Sequence, residues 1–344
     1  MNRVWKLAGL IVVLMGLISM HAIPALAATS QAGAGKTAGD AKAKTGKPKD
    51  KYRYPKIIGQ SPEEIHQLYV RGEYLYVILR SHIARMSVNG GKLEALVSSA
   101  ATIKGFAMDV DKIYFTHYDS TKIYEMPISG GETSEFADTA DTKLNVKIPT
   151  KLTVDDDNVY CVVSMSLIKV PKAGGDIISI VGNMPFIDAP LWVDENTIYW
   201  SAGSTVYMRD KERDIADIYT LGSIYLCYSM SGNEKAFYYA DTKSVGNDEL
   251  VEVRLEDKKI ISYPIPTFSQ FGDADIYANS IACDEEQVYV SATSGVWFKK
   301  TGADSIKLVE DTKDQRCRCM TVDDKYIYFA IRSNIFKMTK PKYE

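Results

Sequence analysis

Short apolar stretches alternate with polar turns along most of the chain, and one phrase of this kind recurs seven times. In its clearest copy, LTVDDDNVYC at Leu152–Cys161, an apolar strand ends at Asp155, a polar turn follows, and a second strand opens with Val159 and Tyr160. Alternation of apolar and polar residues over a few positions is typical of half-buried β-strands. The other copies occupy Leu68–Val77, Ala107–Phe115, Leu191–Trp200, Met230–Tyr239, Ile281–Val290 and Met320–Phe329.

The phrase recurs at a regular spacing that predicts the architecture. Each copy contains one tyrosine at the same place: Tyr76, Tyr114, Tyr160, Tyr199, Tyr238, Tyr289 and Tyr328. These tyrosines are separated by 38, 46, 39, 39, 51 and 39 residues. A third and a fourth strand fit after each tyrosine, and a period near 40 with four strands is the signature of a β-propeller. The pattern therefore predicts an all-β fold: a single seven-bladed β-propeller of four-stranded antiparallel blades.

The two ends of the repeat region predict how the ring closes. The seventh unit stops at its third strand, near Met338, so its blade lacks an outer strand. The segment Tyr54–Gly59 precedes the first inner strand and has the length and β-branched content of a strand. We expect this N-terminal strand to complete the last blade, because an unpaired blade edge would be a liability. No stretch keeps a helical apolar period long enough to compete.

An aspartate closes many of the inner strands, as at Asp155, Asp194, Asp284 and Asp323. A carboxylate at the start of a tight turn accepts hydrogen bonds from backbone N–H groups two residues on, which explains its recurrence. A calcium loop would need oxygen ligands at spacings that even Asp155-Asp156-Asp157 lacks. The aspartates are therefore interpreted as turn formers, and the tyrosines as filler between blades with a polar tip. We predict no metal site and no cofactor.

The chain has five cysteines, at Cys161, Cys227, Cys283, Cys317 and Cys319. Cys161 and Cys283 take positions that hold Phe, Trp or Val in other repeats, so they are interpreted as buried thiols acting as small hydrophobic groups. Cys317 and Cys319 alternate along one predicted strand and are expected to face the same way. No histidine or second cysteine pair completes a tetrahedral metal site there. One disulfide between neighbouring blades remains an alternative.

Residues 1–27 have the pattern of a secretory signal peptide. Arg3 and Lys6 are followed by the apolar run Leu7–Met20 and by the small-residue cleavage pattern Ala25–Ala27. The run is short for a membrane span, although an uncleaved anchor is the alternative. No later segment is apolar enough to span a bilayer, so we predict export to the periplasm, the cell surface or the extracellular space.

Two regions of opposite charge follow the signal. Residues 28–52 are rich in Ala, Gly and Lys and are predicted to be a disordered linker, and residues 53–344 are assigned to the propeller. Residues 28–53 carry a net charge of +5, which leaves −10 from Tyr54 onward in a chain whose total is −3. The basic segment suits a weak electrostatic contact with an anionic envelope surface, or serves only as a spacer. The acidic remainder argues against nucleic acid as a partner.

Strand phrases such as VDDDNVYCV, VDENTIYWSAG and LIKVPKAGG resemble those of bacterial exported YWTD-type, low-density-lipoprotein-receptor-like β-propeller repeats. The resemblance covers the seven repeats from about Leu68 to Met338, and only Trp200 keeps the second aromatic of that motif as Trp. The resemblance implies a propeller with a binding or interaction role. The receptor versions are usually six-bladed, so no ligand-binding residue is carried over.

The longest insertions all belong to connections that meet on one face of a propeller. They are Asp138–Thr150, Asn183–Pro190, Ala240–Asp248 and Pro266–Asn279. Long loops on a rigid scaffold are where binding concentrates, and aromatic residues beside Arg and Asp are typical of recognition surfaces. The predicted ligand-binding residues are Phe186, Asp188, Tyr277, Asp275, Tyr118, Arg316, Arg318 and Arg332. The resulting hypothesis is a secreted or periplasmic binding or assembly module that recognises a protein or cell-envelope ligand.

The alternative hypothesis is an enzyme of lyase or lactonase type with its site at the channel mouth. Its candidate catalytic residues are His82 and His117, which follow second strands of neighbouring blades. Such chemistry needs an acid–base group near the channel, and the sequence contains none of the common hydrolase, metalloprotease, P-loop or dinucleotide motifs. The sequence therefore favours the binding module.

Overall fold

The seven-bladed propeller predicted from the repeats is confirmed by the structure. This computed structural model describes residues 52–141, 148–163, 165–183, 190–211, 218–224, 227–241, 247–266, 280–292 and 294–342. Within them, 28 β-strands form seven separate four-stranded sheets, each with antiparallel neighbours. The predicted signal peptide, the linker up to residue 51 and most of the four long insertions lie outside the described residues.

Six of the blades follow the chain from inner to outer strand. The segment before them is β1 (Lys56–Gln60). Blades 1 to 3 are β2 (Gln67–Arg71), β3 (Tyr74–Ile78), β4 (His82–Ser87) and β5 (Glu94–Ser98); β6 (Ile103–Met108), β7 (Lys112–His117), β8 (Lys122–Pro127) and β9 (Ser134–Asp138); and β10 (Pro149–Val154), β11 (Asn158–Val163), β12 (Ser166–Pro171) and β13 (Ile178–Val181).

Blades 4 to 6 repeat this order. They are β14 (Leu191–Val193), β15 (Thr197–Ala202), β16 (Thr205–Asp210) and β17 (Ile218–Ser223); β18 (Cys227–Gly232), β19 (Ala236–Asp241), β20 (Asn247–Arg254) and β21 (Ile260–Pro266); and β22 (Ser280–Cys283), β23 (Gln287–Ala292), β24 (Gly295–Lys300) and β25 (Lys307–Leu308). Helical structure in the described part of the chain is limited to single 3-10 turns at Thr139–Asp141 and Glu310–Thr312. No helix there is long and apolar enough to cross a membrane.

Blade 7 joins the two ends of the chain, as predicted. Its strands are β26 (Cys319–Val322), β27 (Tyr326–Ile331) and β28 (Asn334–Thr339), and β1 is its outer strand. The register pairs Lys56 with Lys337 and Gln60 with Asn334. The closure places β2 of blade 1 beside β26 of blade 7, so the ring has no open end.

One hydrophobic cluster lies between each pair of adjacent blades. The recurring tyrosine of one blade packs in each cluster against the next blade; Tyr160 of blade 3, for example, shares a cluster with Ile198 and Trp200 of blade 4. All seven tyrosines are at most 3% exposed. The interpretation of these residues as filler between blades is confirmed, and it explains the period, because each repeat must supply one such plug.

The cysteines are free thiols, and four of the five are buried. Cys161 lies in the core as predicted, but the expectation that Cys317 and Cys319 face the same way is wrong. Cys317 packs with the cluster between blades 6 and 7, whereas Cys319 packs with the cluster between blades 7 and 1. The reason is that β26 begins only at Cys319, so Cys317 lies before the strand and the two-residue alternation does not extend to it.

Candidate functional site

The ends of the strands in every blade lie on the two faces of the ring in the same arrangement. Because neighbouring strands are antiparallel, the connections between blades and the turns between second and third strands lie on one face, called the upper face here. The turns between first and second strands and between third and fourth strands lie on the lower face. The glycine pairs of the first three blades serve the lower face; Gly90 and Gly91, for example, have φ values of 99° and 136°.

The recurring aspartates form a network of hydrogen bonds and ion pairs on the lower face. Asp155 Oδ1 accepts hydrogen bonds from the backbone N–H groups of Asp157 and Asn158, and Asp155 Oδ2 accepts one from the Tyr160 hydroxyl at 2.8 Å. Lys211 of the next blade donates to the same carboxylate at 2.5 Å. Burial alone would raise the pKa of Asp155, but the bonds from Lys211 and Tyr160 outweigh it and lower that pKa below its usual value.

The same arrangement links other neighbouring blades. Lys172 of blade 3 pairs with Asp109 of blade 2 at 2.6 Å, and Lys340 of blade 7 pairs with Asp284 of blade 6. The aspartates therefore hold turns and adjacent blades together. Within the described residues, no group of three or more His, Cys, Asp or Glu side chains is placed to hold a metal ion.

A central channel runs between the two faces, with a cavity volume of about 1660 Å³. The inner strands of all seven blades line it. Its wall combines polar and apolar groups, and the partly exposed apolar side chains on it include Tyr69, Val154, Leu191, Trp192, Met230 and Val322. A concave cavity that combines apolar side chains with polar groups is the common form of a binding site.

The upper mouth of this channel is strongly basic. Six basic side chains line the cavity, and we call them the basic arc: Arg80, Lys104, Lys151, Arg316, Arg318 and Arg332. They come from four consecutive blades, 7, 1, 2 and 3. Among the lining residues that the structure describes, the one acidic side chain is that of Glu64, which forms an ion pair with Arg318. The arc concentrates positive charge in a protein whose net charge from Tyr54 onward is negative.

Two arginines of the arc, Arg80 and Arg318, lie close enough to His66 for their charges to affect it. Burial, and then the positive charges of Arg318 and Arg80, lower the pKa of His66 below its usual value against the opposing effect of Glu64. Lys104 lies 5.9 Å from the ring centroid of Tyr118, an exposed aromatic residue of the upper face. The positive charge of the arc therefore extends to His66, and Tyr118 lies beside its Lys104.

Arg332 occupies a backbone conformation that arginine rarely adopts. Its φ is 56°, in the turn between β27 and β28, and the corresponding turn of blade 4 holds Gly203 with φ 59°. The left-handed region costs a residue with a Cβ roughly 1–2 kcal/mol. Such strain persists where the surrounding structure enforces it and is found preferentially at functional sites.

The two histidines of the enzyme hypothesis lie in neighbouring blades but face different partners. His82 Nδ1 is 2.9 Å from Glu63 Oε1 and 3.1 Å from Ser81 Oγ. His117 is the last residue of β7 and packs edge-on against Phe115 and Tyr124. Burial lowers the pKa of His117. No hydrogen bond or ring contact joins the two imidazoles in the described structure, and neither lines the channel.

The structure locates four of the eight predicted ligand-binding residues. Arg316, Arg318 and Arg332 line the channel mouth, and Tyr118 lies beside Lys104. The other four, Phe186, Asp188, Asp275 and Tyr277, lie outside the described residues. The sequence reasoning missed Arg80, Lys104 and Lys151. Aligning the repeats would have revealed part of this basic group. His66, Lys104 and Arg318 each lie at the start of an inner strand, and all three line the mouth.

Close contact between blades 2 and 3 shapes the mouth at Gly105. A Cβ there would lie 2.2 Å from the Thr150 carbonyl oxygen and 2.8 Å from Thr116 Oγ1. We expect Gly105→Ala to lower the free energy of unfolding by about 1–3 kcal/mol, because neither β-strand is free to move away. Urea unfolding measures the change. The matched control is Gly182→Ala, since a Cβ added there would have no atom within 4 Å and the φ of Gly182 is not positive. Equal effects of the two substitutions on the free energy of unfolding would contradict the close approach at Gly105.

Comparison with known proteins finds relatives in fold only. No family model matches the sequence, and no curated protein matches it. Virginiamycin B lyase from Staphylococcus aureus has a TM-score of 0.61 at 12% identity, over 83% of this chain and 98% of the lyase chain. YCF48 from Cyanidioschyzon merolae has a TM-score of 0.61 at 9% identity, over 83% of this chain and 99% of that chain.

A further neighbour is the extracellular domain of a putative one component system from B. thetaiotaomicron. Its TM-score is 0.62 at 10% identity, over 82% of this chain and 42% of that chain. The neighbours thus include both a lyase and an extracellular domain. At these identities the likeness establishes the propeller fold and leaves function to the residues of the site.

Proposed function

We propose that this protein is an exported binding or assembly module that recognises a protein or other cell-envelope ligand on its upper face. The observation that carries the proposal is the channel mouth: a cavity of about 1660 Å³ whose wall combines apolar and polar groups and which opens among six basic side chains of the described residues. Apolar area surrounded by charged and polar groups is the composition of recognition sites. Phe186, Asp188, Asp275 and Tyr277 are proposed to extend this surface.

The alternative is an enzyme of lyase or lactonase type, and the Glu63–His82 hydrogen bond is the observation that favours it. A carboxylate that holds one imidazole nitrogen orients the other toward a substrate. Against this hypothesis, His82 does not line the channel, and His117 has different neighbours. The binding module is therefore the better-supported proposal.

Affinity capture with defined variants tests the module and separates it from the enzyme. The bait is residues 28–344, exposed to envelope and secreted fractions of cells that express the protein. The wild type is compared with Phe186→Ala/Tyr277→Ala and with Asp156→Ala/Glu195→Ala, whose two residues are exposed in lower-face turns. His82→Ala is the fourth bait.

We expect a partner that the wild type, the lower-face variant and His82→Ala retain and that the Phe186→Ala/Tyr277→Ala variant loses. Retention by all four baits would contradict the assignment to the upper face. A folded wild-type bait that captures no protein, together with turnover of a small molecule that requires His82, would replace the module with the enzyme.

A further inference from the structure

We propose that the basic arc is a receptor for an acidic peptide segment of a partner protein, whose carboxylates bind at the channel mouth while its apolar side chains enter the channel. This inference rests on the proposed binding function and specifies its ligand. Three features of the described residues support it: the positive charge at the mouth, two arginines whose guanidinium groups have no partner, and the side chains that line the channel below them.

The cavity lining is positively charged although the protein as a whole is negatively charged. The chain from Tyr54 onward carries −10, yet the charged residues lining the cavity in the described part of the chain are six basic side chains and Glu64. Charge of one sign gathered in a concave site with low-dielectric walls focuses the potential and attracts ligands of the opposite sign. A ligand that carries carboxylates is therefore favoured at this mouth over a neutral or cationic one.

Two arginines of the arc are exposed and have no partner among the described residues. The guanidinium groups of Arg80 and Arg332 make no hydrogen bond or ion pair with any described residue. Both lie in turns between second and third strands of adjacent blades, and Arg332 keeps its position in the left-handed conformation that Gly203 adopts in blade 4. Guanidinium groups bind carboxylates through two parallel hydrogen bonds. The pair is therefore suited to carboxylates of an incoming segment.

The wall beneath the arc combines apolar and polar groups. Among the described lining residues, the apolar side chains Leu191, Trp192, Met230 and Val322 lie in the channel together with several serine and threonine residues. A peptide supplies carboxylates for the rim, aliphatic or aromatic side chains for the apolar part of the wall, and backbone amide groups for its hydroxyl groups. Its chemistry therefore matches both the rim and the wall, whereas an acidic glycan has no aliphatic or aromatic side chain to offer the apolar groups.

Selection from random peptides tests the ligand class even while the natural partner is unidentified. Random twelve-residue peptides displayed on phage are selected on the folded wild type, and enriched peptides are then measured by fluorescence anisotropy at low and high salt. We expect the enriched sequences to combine Asp or Glu with apolar residues and to bind more weakly at high salt, because charge contributes to their affinity.

The decisive variant is Arg80→Gln/Arg332→Gln, which removes both unpaired guanidinium groups. It is expected to bind the selected peptide about 10- to 100-fold more weakly, as for loss of charged hydrogen bonds. The matched control is Lys92→Gln/Lys259→Gln, two exposed lysines in lower-face turns, for which affinity should not change. Arg332→Gly separates binding from folding, since glycine relieves the positive φ: its melting temperature should equal or exceed that of the wild type while its affinity falls.

Three outcomes would overturn the acidic-peptide proposal. They are enriched peptides without acidic residues, equal affinity of the arginine and lysine variants, and binding of heparin or dextran sulfate where no acidic peptide is enriched. Neutral peptides that bind the wild type but not Phe186→Ala/Tyr277→Ala would leave the binding module standing and remove only its acidic ligand. Failure of both the selection and the affinity capture would remove the module as well.

Discussion

Deletion of residues 54–60 is expected to lower the free energy of unfolding by several kcal/mol, a large part of the ~5–15 kcal/mol typical of a folded domain. The deletion removes β1, the outer strand of blade 7, and exposes the edge of β28. It also removes contacts between blades, because Ile58 packs against the cluster between blades 7 and 1 and Gly59 lies against Met86. Thermal unfolding followed by circular dichroism should show a decrease of about 10 °C or more in Tm.

Two controls identify the strand itself as the cause. Deletion of residues 28–50 leaves β1 in the chain and is expected to leave Tm unchanged. Ile57→Ala keeps the backbone pairing of β1 and shortens a side chain that is 53% exposed, so its effect should stay within about 0.5 kcal/mol. A chain without residues 54–60 that melts at the wild-type temperature would show that β1 does not close the ring.

Asp155→Ala is expected to destabilise the protein by about 2–4 kcal/mol, since several buried or half-buried donors lose one acceptor together. The backbone N–H groups of Asp157 and Asn158 lose their turn partner, and the Tyr160 hydroxyl and the Lys211 ammonium group lose theirs. The unfolding free energy of Asp155→Asn should fall between those of the wild type and Asp155→Ala, because the amide oxygen preserves the turn but not the ion pair. Urea unfolding at neutral pH measures all three proteins.

The neighbouring Asp156→Ala is the matched control, since Asp156 is exposed in the same turn; its effect should remain within about 0.5 kcal/mol. Acid provides a second check. The pKa of Asp155 is lower in the folded protein than its usual value of 3.8, so its contribution is complete above that value and is lost as pH falls through the folded-state pKa. The difference between the wild type and Asp155→Ala should therefore shrink below pH 3.8; a constant difference would contradict the ion-pair account.

The turn-forming aspartates and the tyrosines between blades were predicted from the sequence because both recur within each repeat. Asp155 and Tyr160 are five residues apart, within one hairpin, so a single turn determines their contact. The partner of Asp155 in the next blade was not visible. Lys211 lies 56 residues further along the chain, and the sequence does not show which lysine reaches back across a blade interface.

The channel mouth was predicted only in part for the same reason. Arg316, Arg318 and Arg332 were predicted because they were assigned to the long-loop face near blade 7. Arg80 and Lys104 belong to blades 1 and 2 and join the site through ring closure. The prediction for Cys317 was wrong for a different reason. The two-residue alternation was applied to a residue that precedes its strand, and strand boundaries depend on pairing as well as on pattern.

The sequence by itself determined the number of blades, the four-stranded unit, the closing strand and the turn chemistry of this protein. All of these follow from local periodicity, from the conformations that glycine and aspartate favour, and from the need of each repeat to bury one apolar face. Only the tertiary structure decided which charged residues meet at the channel mouth. Closure brings blade 7 beside blade 1, so groups about 250 residues apart, such as Glu64 and Arg318, become neighbours.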